Sequence, residues 1–418
     1  MSFGKLGLKY SILLLIFLLP IILSAHEPDH SYIFLRINES SINGRFEISY
    51  KDVNQELGTS LSEPLSQADL DPLKGLISAL IRDNINFSSN GKAFPLSIED
   101  IIAFRIDEEA DNVQIYFELT NMKEMPEKLD ISYTPFFEKR PNHRGVVIIE
   151  YHWKAGIINN HSLIAEVFEN SGTEKQINLA DVSIWKGFIA MVKLGIWHIW
   201  IGLDHILFLV ALVLPAVVRR KTDNQDLATL EYGDNVKTPW RPVANFKPAA
   251  LYILKIVTFF TIAHSITLAI ASLGIFTLPS RYVESIIAFS IALAALHNII
   301  PIFKSKEWIV AFAFGLFHGF GFASVLGEKG LGGDYIILSL LGFNGGVEIG
   351  QVAIIAGIFP VLYFLRTFSI YPKILTYGSG LLILISLHWS IERFFEINIP
   401  LGRWLDSILG VIPFFGLF

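Results

Sequence analysis

Three residues with chemistry to offer sit where chemistry is expensive. His198, Asp204 and His205 lie in Gly195-Ile-Trp-His-Ile-Trp-Ile-Gly-Leu-Asp-His-Ile-Leu-Phe-Leu209, inside the apolar run Phe188–Val218. That run is long enough to span a bilayer, and imidazoles or a carboxylate at membrane depth mark ion paths, proton relays or catalytic centres. On a straight helix the two imidazoles share a face, two turns and roughly 10 Å apart along the axis. A metal–nitrogen bond is only about 2 Å, so one ion cannot bridge them on such a helix. Either Gly202 allows a break, or the two are successive stations completed by other helices. Asp204 can accept the second N–H of the His205 ring and so fix its tautomer.

Polar residues recur in the later apolar segments. Thr261, His264, Ser265 and Thr267 fall in one, and His318 falls in Gly315-Leu-Phe-His-Gly-Phe-Gly-Phe322 in another. Asn344, Glu348 and Gln351 follow an i, i+4, i+7 spacing and form one polar stripe. Gly342, Gly345, Gly346 and Gly350 lie around that stripe and let a second helix come close. His388 and Glu392 stand one turn apart, beside Trp389 and Arg393. Singly, an intramembrane His or Asn is an ordinary helix–helix hydrogen bond, and Ser or Thr bonds the preceding turn. His297 reads that way. Together, His198, His205, His264 and His318 with Asp204 and Glu348 carry too much desolvation cost for packing alone. They predict a polar cavity or path, with Ser265, Asn344, Gln351 and His388 in support.

The elements that must position these groups are helices. Six apolar spans are expected, at about 188–214, 249–273, 282–303, 308–326, 336–365 and 374–392. Leu401–Phe418, with Arg403 and Asp406, is a seventh span, a re-entrant piece or, the favoured reading, an interfacial helix. Arg219, Arg220, Lys221, Lys237, Arg241 and Lys247 crowd the 216–248 loop, with Lys304, Lys306, Arg366 and Lys373 in the loops of the same side. The opposite loops carry only Arg281 and Lys329, so the positive-inside rule puts the 216–248 loop in the cytoplasm. A weak internal echo pairs Gly195-Ile-Trp-His198 with Gly315-Leu-Phe-His318, and Leu296-His297 with Leu387-His388. The paired spans run in opposite senses, as in three-plus-three inverted repeats, which place their site at the repeat interface.

Before the helices the pattern is that of an exported domain. Lys5 and Lys9, the apolar stretch Tyr10–Leu23 and Ser24-Ala25 read as a signal peptide over 1–25. Residues 26–183 are expected to fold as an all-β sandwich on the periplasmic side of the inner membrane, and 184–418 as the membrane bundle. Ser31–Asn38 and Arg45–Tyr50 alternate about Asn43-Gly44, a hairpin signal. Strand-like runs follow at Ile101–Ile106, Val113–Leu119, Leu129–Tyr133, Val146–Trp153 and Leu163–Glu169, and Leu65–Ile85 reads as one inserted helix. His26 at the mature N-terminus, with His30, could chelate a divalent metal; the plainer reading is a solvated tail. His143, His152 and His161 show no ligand spacing.

Composition narrows the classes. Of 418 residues 52% are hydrophobic, the net charge is −6, and no basic stripe points to nucleic acid. Mean hydropathy is +0.48. There is no cysteine, hence no disulfide, thiolate metal site or thiol nucleophile, and four methionines make a poor copper(I) path. Any metal is held by nitrogen and oxygen.

With its His198-x5-Asp204-His205 stretch, Gly202, and the pair His318-Gly319, the chain resembles the HupE/UreJ family of nickel-permease-like proteins. It resembles most the branch with a long exported N-terminal domain, often beginning Ala-His after the signal. It is also similar to the wider His-x4-Asp-His signature of nickel/cobalt transporters, with one residue more. Ile199 stands where the family commonly has Pro, and no His-rich loop is present. The resemblance spans roughly 185–395 and implies nickel or cobalt as cargo.

Three functions are therefore weighed. The leading one is a divalent-cation permease that passes metal between His198, His205, His264 and His318, with Asp204 and Glu348 balancing charge. No P-loop is present, so a gradient or membrane potential would drive it. The second is an intramembrane zinc-dependent hydrolase of a lipid-like substrate, which needs three ligands converging on one point. The third is a membrane-anchored sensor or assembly factor whose exported domain binds a protein partner. Expected partners are thus the metal ion and the lipid bilayer; whether the chain is an enzyme is left open.

Overall fold

The computed structural model describes residues 30–106, 110–158, 163–220, 240–303, 307–328 and 335–397. The signal segment, His26, His161, the middle of the 216–248 loop, Lys304, Lys306, Lys329 and Leu401–Phe418 lie outside the described residues.

The first half is β-rich. Strands β1 (His30–Ile37), β2 (Ile42–Ser49), β5 (Leu96–Ile106), β6 (Ala110–Leu119), β8 (Arg144–His152) and β9 (Leu163–Phe168) form a sheet in the order β5-β6-β2-β1-β8-β9. A second sheet has the order β10-β7-β3-β4, from β3 (Ile85–Ser89), β4 (Lys92–Ala93), β7 (Lys128–Tyr133) and β10 (Glu174–Asn178). Alternation along β1 buries Ser31, Ile33, Leu35 and Ile37 on one face, as a period of two requires. The sheets meet through aromatic rings: Phe117 of the first stacks on Phe87 of the second at 5.7 Å, and Phe168 on Tyr133 at 5.4 Å. β1 and β8 are parallel, whereas the other pairings are antiparallel.

Two expectations need correction. Asn43-Gly44 is not the hairpin turn. Ile37 pairs with Ile42, the turn is Asn38–Ser41, and Asn43 and Gly44 lie inside β2. A Cβ on Gly44 would stand 2.0 Å from the Phe34 carbonyl oxygen, so the glycine serves close strand approach rather than a turn. Nor is Leu65–Ile85 one helix. It divides into α2 (Gln67–Leu70), a 3-10 turn at Asp71–Leu73 and α3 (Lys74–Asn84), with Pro72 at the junction and Ile85 already in β3. The N-terminal half also holds α1 (Tyr50–Leu57), capped by Ser49, so it is β-rich rather than all β.

The second half is helical: α4 (Ile184–Ile201), α5 (Leu203–Val213), α6 (Phe246–Ser272), α7 (Ser280–Ile299), α8 (Glu307–Glu328), α9 (Ile336–Leu365) and α10 (Tyr371–Phe395). A short ribbon of β11 (Val218–Arg220) and β12 (Trp240–Pro242) lies between α5 and α6. Five helices, α4, α6, α7, α9 and α10, are long and apolar enough to cross a membrane; α5 and the first part of α8 are shorter apolar helices.

Glycines set which helices pair. A Cβ on Gly195 would lie 2.0 Å from the Phe343 carbonyl oxygen, and one on Gly346 2.1 Å from that of Val192, so α4 and α9 touch backbone to backbone. Gly315 and Gly319 do the same for α8 against Phe260 and His264 of α6. The third pair, α7 and α10, is antiparallel, tied by Asn298 to Ser379 and by Ser390 to the Ser285 carbonyl. Numbered in chain order as helical segments, with α4–α5 as the first, the pairs are one with five, two with four, and three with six. Exchanging one for four, two for five and three for six maps this set onto itself, the pattern an inverted repeat produces.

Trp153, in a 3-10 turn after β8, joins the halves. Its ring fills the notch at Gly187 of α4, where a Cβ would come within 2.4 Å, and its Nε1 donates to Ser339 of α9 at 2.8 Å.

Candidate functional site

The helix does break at Gly202. Its φ of −71° and ψ of 95° are extended, and α5 begins afresh at Leu203. The Gly202 amide still bonds the His198 carbonyl, and a Cβ there would meet His205 Nδ1 at 2.4 Å. Glycine is thus required for room. The break turns a two-turn separation into a contact, with the His198 and His205 rings 4.6 Å apart. His205 in turn lies 5.7 Å from the ring of His318 on α8, and His198 lies 6.4 Å from that of His264 on α6. Three stretches remote in sequence, α4–α5, α6 and α8, bring four imidazoles into one cluster, in which His264 and His318 are almost wholly buried.

Hydrogen bonds orient these rings. His318 Nδ1 is 2.9 Å from the Phe314 carbonyl, an acceptor only, so Nδ1 carries the proton. His264 Nδ1 is 3.3 Å from Asn344 Oδ1, and the Asn344 amide donates to the Leu340 carbonyl, which turns its oxygen to the ring. His205 Nδ1 lies 3.1 Å from Asp204 Oδ1 without a hydrogen bond between them; that oxygen accepts the His205 backbone amide at 3.0 Å. For His264 and His318, Nε2 is thus the nitrogen left for a metal, and it is buried with no hydrogen-bond partner. Among the described residues, however, no three His, Asp or Glu side chains close on a single point as a metal's ligand set.

From the cluster a polar ladder runs down the α6–α9 contact. Asn344 meets His264, Gln351 meets Thr261 at 2.9 Å, and Glu348 accepts from Thr258 at 2.6 Å. Thr258 to His264 covers about 9 Å of helix rise. Glu348 Oε2 is buried and lacks a hydrogen-bond partner.

Two features bound the cluster that sequence reasoning did not place. On the side of the β11–β12 ribbon, Phe208, Phe260 and Phe314 form a layer, with ring separations from Phe208 of 5.1 Å to Phe260 and 6.0 Å to Phe314. His318 rests on it, 5.3 Å from Phe208 and 4.8 Å from Phe260. Beyond lies a cavity of about 180 Å³ lined by Phe314, Ala311 and Ile256, with Arg219, Tyr252 and Glu307 among its polar groups. The signal was legible: Phe-x3-His occurs at 260/264 and again at 314/318. At the opposite end Arg393 approaches Asp204 at 3.6 Å.

Some expected participants stand elsewhere. Ser265 spends its hydroxyl on the Thr261 carbonyl of its own helix. His388 pairs with Glu392 at 3.2 Å along α10. His297 accepts the amides of Ile302 and Phe303 at the end of α7. His30 starts β1 in the sheet region, with its ring by Tyr32. His143 is buried against Ser31 at 3.0 Å.

The family model described as HupE / UreJ protein matches residues 173–393, which takes in the whole cluster, the ladder and Arg393. No curated protein matches the chain.

Proposed function

The chain belongs to the HupE/UreJ family, and on that premise we propose that it is an integral membrane permease for a divalent cation, with nickel or cobalt as cargo. One observation carries the reading: the polar groups are strung out along the bundle. They run from Arg393 and Asp204 through the histidines to Asn344, Gln351 and Glu348, where a catalytic centre would gather its ligands at one point. Imidazole nitrogen and carboxylate oxygen suit nickel and its neighbours.

In this reading the ion exchanges water for ring nitrogens of His205 and His198, whose approach the Gly202 break permits, and then for those of His318 and His264. Asp204 and Glu348 offset its charge. The α4–α5 segment acts as one span broken at mid-depth, as in transporters whose sites sit at discontinuous helices. The sheet region faces the outside of the inner membrane behind a cleaved signal, and the Arg- and Lys-rich 216–248 loop faces the cytoplasm. His26 and His30 then stand on the entry side.

Alanine at His198, Asp204 or His205 should abolish metal accumulation by cells in which the variants still insert and express. Normal accumulation by all three would sink the permease.

A second reading, an intramembrane zinc hydrolase, draws on the 4.6 Å approach of His198 and His205. A resident zinc needs a third converging ligand, which the described residues do not supply. Metal content of the purified protein separates the two: tightly retained zinc lost in His205→Ala favours the hydrolase, exchangeable nickel or cobalt the permease.

A further inference from the structure

Arg393, near the end of α10, touches two carboxylates of different standing. Its guanidinium is 3.6 Å from Oδ2 of Asp204, the residue whose Oδ1 faces His205, and 3.8 Å from Glu284 at the start of α7. Its Nη1 also lies 3.3 Å from the Glu284 carbonyl oxygen, and the ring of Trp389 lies 5.6 Å away. Exposure grades along this line: the Asp204 side chain is 20% exposed, Arg393 30% and Glu284 48%. One carboxylate therefore joins the histidine cluster to a guanidinium, and that guanidinium already touches a more solvated acid.

We propose that Arg393 is a tethered cation that neutralises Asp204 while the histidine site is empty and swings onto Glu284 when a divalent ion enters. The inference rests on the permease reading and adds a residue that sets selectivity. A guanidinium does not shed its proton in a protein, so its charge leaves the site only by moving. With it in place, an ion at the histidines gains the attraction of Asp204 but meets repulsion from a positive charge a few ångströms away. A monovalent ion brings no more charge than the guanidinium it must displace. A divalent ion brings twice as much, so the displacement favours divalent cargo. Glu284 gives the displaced side chain a place to go without a long excursion, and the Trp389 face borders the route.

The two neighbours then have opposite effects, which a merely structural role would not produce. Nickel binding is measured by calorimetric titration of the full-length purified protein: wild type, Arg393→Gln, Arg393→Lys, Glu284→Gln and His205→Ala. Arg393→Gln should tighten nickel at least about tenfold and make its binding more sensitive to competing sodium. Arg393→Lys keeps a charge and should reverse that tightening. Glu284→Gln removes the landing site and should weaken nickel. If wild type binds nickel, His205→Ala loses it, and Arg393→Gln is unchanged or weaker, the tethered-cation idea is wrong while the permease stands. If Arg393→Gln does not fold, Glu284→Gln decides, and unchanged affinity there overturns the idea. A wild type that binds neither nickel nor cobalt removes both readings together.

Discussion

The indole of Trp153 lies flat on the phenol of Tyr335, ring centroids 4.3 Å apart and planes 5° from parallel. Trp153 belongs to the turn after the last residue of β8 and Tyr335 immediately precedes α9, so this stack joins the sheets to the helices. Around it, Glu39 bonds Tyr335 and pairs with Lys154 at 2.5 Å. Burial alone would raise the Glu39 pKa, but the bonds from Lys154 and Tyr335 outweigh it and hold the carboxyl below its usual range.

Trp153→Ala should detach the sheet region. The ring is 2% exposed, and removing a buried aromatic costs about 3–5 kcal/mol. Protease cutting near residue 183 should rise while the metal affinity of the helical part persists. Unchanged protection would mean the junction holds without this ring.

His152 makes the same region sensitive to acid. Burial first, and the charge of Lys154 second, push its pKa down to about 4. The folded state keeps the ring neutral, while the unfolded chain takes up a proton as pH falls through about 6.5. Its contribution is therefore intact above that value, declines between about 6.5 and 4, and is flat below. The total loss is at most on the order of 3 kcal/mol, less where solvent reaches the ring. Unfolding midpoints of wild type and His152→Gln should diverge across that window, and parallel curves would refute the assignment.

Asn344→Leu should weaken metal binding without altering the fold. It removes the acceptor that fixes His264 Nδ1, and loss of such a partner costs about 10–100-fold in affinity. Titration with nickel reads it directly, and an unchanged constant would show that His264 needs no tether.

Phe314→Ala should open the aromatic layer toward the cavity beyond it. Passive efflux of nickel from loaded proteoliposomes should rise, with binding at the histidines little changed. Efflux at the wild-type rate would show that the layer is not the barrier on that side.

The candidate residues stood out in the sequence because desolvation cost makes imidazoles and carboxylates in apolar segments conspicuous. His198, His205, His264 and His318 do gather, and the Gly202 break stood among the alternatives from spacing alone. The tethers were not readable: the Phe314 carbonyl reaches His318 through one helical turn, a contact any residue type could make. Arg393 stood in the sequence only as a neighbour of His388 and Glu392, because its tie to Asp204 crosses from α10 to α5. In the sheets, strong local signals misled where tertiary contact decided. Asn43-Gly44 reads as a turn until the Phe34 carbonyl is seen to need the glycine. The parallel pairing of β1 with β8 joins residues more than a hundred positions apart and leaves no local mark.

The glycine contacts also decide what can move. Gly195, Gly346 and their carbonyl partners set α4 against α9 backbone to backbone. α5 is fastened elsewhere: Asn298 of α7 holds the Ala211 carbonyl at 2.9 Å, and Tyr371 of α10 holds that of Leu214 at 2.6 Å. Gly202 therefore stands between two separately fastened bodies, one carrying His198 and the other His205. Any rocking of one body against the other changes the gap between those rings, so the grip on an ion and the tilt of the bundle are a single coordinate.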